Sequence, residues 1–265
     1  MNLILYILIF MIGTVFGSFF TLAIYRLPLG KDIIHERSFC PNCNHKLRFL
    51  DMIPILSYIF LGGKCRYCKN KIKPRYLILE VLSGITFLLF AISLDLNIYD
   101  LSASKLIYVC LGLLYIAGLF IIAGIDKQNR TIQVSVLLYE SIISILYMIY
   151  LYVVEEANMY RYVIYLCLFC LLELYNIRYI RKNGKNNYIF QTALLCLCMS
   201  LFCGEGPFII SAILTILVFL AIVLVKKLKK HTYNLKQIMN GTSVVYILCI
   251  CNIISLILTN YLIYK

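Results

Sequence analysis

The sequence predicts an all-α polytopic membrane protein of about eight transmembrane helices, with a small four-cysteine ribbon between helices one and two. Three observations predict it. The 265 residues are 62% hydrophobic and only 14% charged, which excludes an ordinary soluble domain. Apolar runs recur along the chain, each near the roughly 20 residues that a bilayer-spanning helix needs. Two C-x-x-C pairs, Cys40/Cys43 and Cys65/Cys68, interrupt that pattern once.

Eight apolar runs are read as helices: 2–25, 76–94, 106–125, 132–154, 162–180, 188–203, 208–225 and 242–263. In lipid the backbone must satisfy its own hydrogen bonds, so runs of this length are helical. The alternating pattern of a β-barrel is not visible. The expected organisation is a first membrane helix (1–25), a loop (26–75) and a seven-helix membrane domain (76–265). The start, MNLILYILIF, lacks a basic segment and a small-residue cleavage site, so it reads as a retained helix. Helix one should stop at Arg26-Leu27-Pro28, where proline forbids continuation.

Charge placement supplies the topology. The formal net charge is +13, and eleven of the 25 Lys/Arg lie between Arg26 and Arg75. Most others fall at Lys127/Arg130, Arg178–Lys185 and Lys226–Lys236, whereas 95–105 and 155–161 carry Asp95, Asp100, Glu155 and Glu156 against Lys105 and Arg161. This is the positive-inside pattern in one consistent phase. It puts both termini outside and the cysteine loop in the cytosol. The excess positive charge therefore suits anionic lipid, and no nucleic acid partner is expected.

A C-x-x-C pair is a tight knuckle that aims two thiolates at one point. Two such knuckles make a closed tetrahedral site, so Cys40, Cys43, Cys65 and Cys68 are expected to hold a structural zinc ion. Lys46, Arg48, Lys64, Arg66 and Lys69 favour thiolates and offset their charge. The cytosolic setting argues against two disulfides. Gly62 and Gly63 should turn the chain back between the knuckles, and a ribbon of roughly 40 residues needs its metal to hold together. The other eight cysteines lie in or at the ends of apolar runs. They read as small packing groups at helix contacts, including Cys167 and Cys170 on one helical face.

GSFFTLAIYRLP (Gly17 to Pro28), CPNC, DMIPILSYIFLGGKCRYC and KPRYLILE together resemble the amino-terminal half of the type IV prepilin peptidases, almost without a gap from Gly17 to Gly84. The resemblance implies a polytopic enzyme of the bacterial cytoplasmic (inner) membrane. Such an enzyme removes prepilin leaders after a glycine and methylates the new amino terminus, with S-adenosylmethionine as donor. Prepilins or pseudopilins of pilus, type II secretion or competence systems are the implied partners, and the cytosolic ribbon would help to bind them. Glu80, following Arg75-Tyr76, matches a family glutamate on the activity-bearing face; the alternative is a carboxylate pairing with Arg75 or reaching the headgroups.

The family uses two membrane-embedded aspartates, one protonated while the other activates water. Asp126 matches the first, with Ile132 following and Gln133 in place of a proline; otherwise Asp126 is a helix-end carboxylate paired with Lys127 or Arg130. Two places compete for the second, a G-x-G-D-x-K element. Gly204-Glu205-Gly206-Pro207 has the glycines, but on the outer face. Gly184-Lys185-Asn186-Asn187 lies on the inner face and is preferred. There Asn186 replaces a glycine, Asn187 the catalytic aspartate and Ile189 the lysine. An amide cannot titrate, so the shared-proton pair cannot form. A prepilin leader peptidase and a non-peptidase paralogue, acting in assembly or methyl transfer, are both expected readings. A transporter would need broken helices and clustered intramembrane charge; the helices read unbroken, and Glu140 and Glu173 stand alone.

Overall fold

The computed structural model describes residues 2–33, 35, 37–97, 99, 102–155, 159–184, 187–229 and 242–264. Asp100, Glu156, Asn186 and most of the basic run Lys226–Lys236 lie outside them. The described residues are helical through the predicted runs except at their edges, where Leu94, Ile132, Gln133, Thr242 and Ser243 lie outside the helices. The long helices are α1 (Asn2–Arg26), α3 (Arg75–Ser93), α4 (Ala103–Asn129), α5 (Val134–Glu155), α6 (Met159–Asn183), α7 (Tyr188–Cys203), α8 (Glu205–Lys229) and α9 (Val244–Tyr264), with a short α2 (Leu56–Phe60) in the loop. Seven are long and apolar enough to cross a membrane. The eighth predicted run, α7, has 16 residues and spans only about 24 Å, short of a ~30 Å hydrocarbon core.

The helix ends follow local chemistry. α1 gives way at Arg26 to a 3-10 turn containing Pro28. Ser102 caps α4 by accepting the Lys105 N–H at 3.2 Å. Asn187 caps α7, and Gly204, at φ +81°, ends it. Gly184 closes α6 in the left-handed region at φ +64°, bonding back to the Ile180 carbonyl, as a helix-ending glycine does.

The chain forms two compact units, Met1–Leu101 with Tyr264–Lys265, and Ser102–Ile263. In the first, α1 and α3 pack backbone to backbone. A Cβ at Gly13 would lie 2.8 Å from the Gly84 Cα, and one at Gly17 would lie 2.7 Å from the Glu80 Cα. Small residues spaced G-x-x-x-G allow this approach where no hydrophobic force drives helices together. Ser83 strengthens it by donating its hydroxyl to the Gly13 carbonyl at 2.7 Å.

In the second unit the core runs along α4 and α9, whose apolar windows are each 56% buried, against 6% for α6 and 17% for α8. Tyr115 stacks on Phe202 with ring centroids 4.0 Å apart and donates to Asn252 at 2.7 Å. Tyr108 repeats that bond to Asn260 two turns away. Cys110, Cys167 and Cys170 correct an expectation: all three are exposed, Cys110 on α4 and the other two on α6. α6 turns Cys167 and Cys170 outward, away from the single face it packs on α7, so they are not packing groups at a helix contact.

Candidate functional site

The four ribbon cysteines come together. All four Sγ atoms lie within 4.8 Å of one another, and Cys40 Sγ is 3.9 Å from Cys68 Sγ. A tetrahedron with Zn–S bonds near 2.3 Å has edges of about 3.8 Å, so the donor set fits zinc in charge, softness and spacing. The two knuckles are copies of one another. Cys40 and Cys65 take back-bonds to His45 and Asn70, Asn44 and Lys69 return to Cys40 and Cys65, and both returning residues have positive φ. A bridge closes each, Phe39 with Lys46 and Lys64 with Lys71. The backbone N–H of Cys68, then that of Tyr67, hold the Cys65 thiol down to about 7, which favours the thiolate a metal needs. Arg66 donates to Asp51 at 2.7 Å, fastening the second knuckle to the linker that follows the first. Gly62 and Gly63 turn the chain at φ +59° and +66°.

Glu80 is buried on α3. Its carboxylate accepts the N–H of Ile55 at 2.8 Å, and Ile55 holds a φ of +62°, a conformation a β-branched residue seldom adopts. The glutamate thus pins the ribbon linker to a membrane helix. Arg75 instead lies over the Tyr76 ring.

In the second unit, Asp126 is fully buried at the end of α4. Its Oδ1 accepts from the Tyr188 hydroxyl at 2.8 Å and its Oδ2 from the Tyr246 N–H at 2.9 Å. Lys127 donates to the Tyr246 hydroxyl and lies over its ring, while the Arg130 N–H bonds the Asp126 carbonyl. Asn187 directly precedes Tyr188, but its Oδ1 accepts the Ile189 N–H at 3.0 Å. The residue that reaches Asp126 is Tyr188, which sequence reasoning passed over. Its signal was available: a polar tip at the first position of an apolar helix.

Other acids stand apart from Asp126 in this unit. Glu205 opens α8, beyond the far end of α7 and so about 22 Å of helix from Tyr188. Glu140 is fully buried and neither oxygen has a partner among the described residues. It fills the notch at Gly118, where a Cβ would stand 2.7 Å from its Cδ. Gly118 is eight residues from Asp126, about 12 Å along α4. Glu173 is half-buried on α6.

Comparison with known proteins places the first unit. Residues 11–94 match the bacterial peptidase A24 N-terminal domain. A prepilin leader peptidase/N-methyltransferase of Klebsiella pneumoniae is 34% identical over 128 residues, 46% of this chain and 52% of the relative. Its namesake from Vibrio cholerae is 38% identical over 128 residues, 44% and 47% of the two chains. That from Bacillus subtilis is 39% identical over 93 residues, 34% and 38%. The matches span about half the length of these relatives or less, and no solved structure matches. Over its amino-terminal residues the chain is thus similar to the bacterial peptidase A24 amino-terminal domain and to the prepilin leader peptidase/N-methyltransferases that share it.

Proposed function

We propose that this protein is a prepilin leader peptidase of the bacterial cytoplasmic membrane. It would cleave leaders after glycine in a pilus, type II secretion or competence pseudopilus system and N-methylate the new amino terminus. The observation that carries the reading is Asp126, a carboxylate buried at a helix end and held by two donors in a chain whose first unit matches that family. Burying a charge is costly, so a carboxylate built into such a position has a purpose. Asp126 activates the attacking water, and Tyr188 and the Tyr246 N–H orient it. Zinc, held by Cys40, Cys43, Cys65 and Cys68, folds the cytosolic ribbon that engages the prepilin. S-adenosylmethionine would supply the methyl group for an N-methyltransferase activity of the kind the relatives are named for.

One observation favours a second reading, a catalytically degenerate paralogue that serves as a membrane assembly or methyl-transfer partner. Among the described residues of its unit, no second carboxyl group bonds to Asp126, and Asn187 is engaged in capping α7. Half an acid pair loses orders of magnitude in rate.

Co-expression with a type IV prepilin in membranes, scored by gel shift and mass spectrometry, separates the two. The peptidase reading expects the wild type to remove the leader and Asp126→Ala to fail. An inert wild type that gains cleavage with Asn187→Asp supports the paralogue. Inert forms throughout overturn the peptidase reading.

A further inference from the structure

The linker between the two knuckles carries large apolar side chains on its surface. Phe49 and Leu50 are 79% and 65% exposed, and Leu56, Ile59 and Phe60 are 50%, 61% and 84% exposed. The last three are spaced i, i+3, i+4 on α2 and so share one face. A soluble face seldom exposes such a cluster without a partner.

Where this cluster sits follows from covalent geometry and one hydrogen bond. The loop starts at the end of α1 and finishes at the start of α3, two antiparallel membrane helices packed backbone to backbone. Both of its ends therefore emerge at one membrane surface. Glu80 lies five residues inside α3, about 7 to 8 Å along the helix from Arg75, and it holds the N–H of Ile55, the residue that precedes α2. α2 is thereby tied below the level at which α3 emerges. Interfacial helices bury their apolar face about 5–10 Å into the boundary of headgroup and acyl chain.

The charge agrees. From Arg26 to Arg75 the sequence holds eleven Lys/Arg against three Asp/Glu, and one of those acids, Asp51, is paired with Arg66. Basic residues flanking an apolar face suit an anionic leaflet.

We infer that α2 is an interfacial anchor: Leu56, Ile59 and Phe60 insert into the anionic membrane surface, with the Glu80–Ile55 bond setting the depth. The ribbon is then held flat on the bilayer beside the membrane helices, its knuckles toward water. This role is separate from Asp126 and stands or falls independently of any peptidase activity.

The test uses the absence of tryptophan from the chain. Phe60→Trp and, as a water-facing control on the second knuckle, Asn70→Trp each give the full-length protein one reporter. Both are reconstituted in phosphatidylglycerol-containing bilayers, with and without acyl-brominated lipid. The expected result is blue-shifted Phe60→Trp emission, quenched at least twofold more by brominated lipid than that of Asn70→Trp and protected from aqueous acrylamide. Adding Glu80→Ala should reverse both effects, whereas Glu80→Gln, which keeps an acceptor, should not. A Phe60→Trp reporter quenched by acrylamide like the control overturns the anchor. So does one shielded from acrylamide and bromolipid alike, which would mean protein covers the face.

Discussion

Tyr188 donates its phenolic proton to Asp126 at 2.8 Å, and the backbone N–H of Tyr246 meets the other carboxylate oxygen at 2.9 Å. The first residue of one helix and the third of another thus close around the last buried acid of a third. The carboxylate is oriented before any substrate arrives, and its two donors are left unpaired if it is removed.

That arrangement separates chemistry from stability. Asp126→Asn keeps an oxygen for the Tyr246 N–H and an amide for the Tyr188 oxygen, so it should fold within about 1 kcal/mol of wild type. Asp126→Ala strands two donors and should cost about 1–3 kcal/mol. Both should abolish leader cleavage if Asp126 is the working acid. Thermal melts in detergent, read beside the co-expression assay, check the split; a cleaving Asp126→Asn would show that the carboxylate is not the catalyst.

Tyr188→Phe removes one donor and leaves the carboxylate otherwise intact. The expected loss is about 1–2 kcal/mol of stability, with cleavage reduced more than binding because the acid is no longer oriented. Turnover and apparent affinity for a purified prepilin, measured separately, check it.

Asn187 and its variants test the helix cap. Asn187→Ala should destabilise by about 0.5–2 kcal/mol, while Asn187→Asp, also a good cap, should be close to neutral. Any gain of cleavage in Asn187→Asp then reports the added carboxyl group and not a change in folding.

The ribbon should contain one zinc per chain. Cys40→Ser or Cys65→Ser should abolish it, by plasma emission spectrometry, and open residues 26–75 to protease while the membrane helices remain. Metal content unchanged in both variants would rule out the four-thiolate site.

The α1–α3 contact should be intolerant of bulk. Gly17→Ala places a methyl against the Glu80 backbone and should cost about 1–3 kcal/mol. Gly206→Ala meets nothing within 4 Å and should be neutral or stabilising by up to about 1 kcal/mol. Paired melting temperatures check both.

Hydropathy and cysteine spacing were enough to determine the helices and the thiolate cluster, while the likeness of the first unit to the prepilin peptidases rests on its motifs between Gly17 and Gly84. Each is a local pattern: a run of apolar residues must be helical in lipid, and a C-x-x-C knuckle forms from its own backbone. The G-x-x-x-G of Gly13 and Gly17 also stands in the sequence, but that it packs against Gly84 and Glu80 is seen only in the fold. Only the tertiary structure decided what meets Asp126. Tyr188 and Tyr246 lie 62 and 120 residues away in sequence, and no periodicity reports a pairing set by how three helix ends converge. It decided equally that Glu80 holds Ile55, that Glu140 occupies the notch at Gly118, and that Cys167 and Cys170 face outward. Apolar pattern determines that a helix is buried in something; which face meets protein and which meets lipid depends on its neighbours.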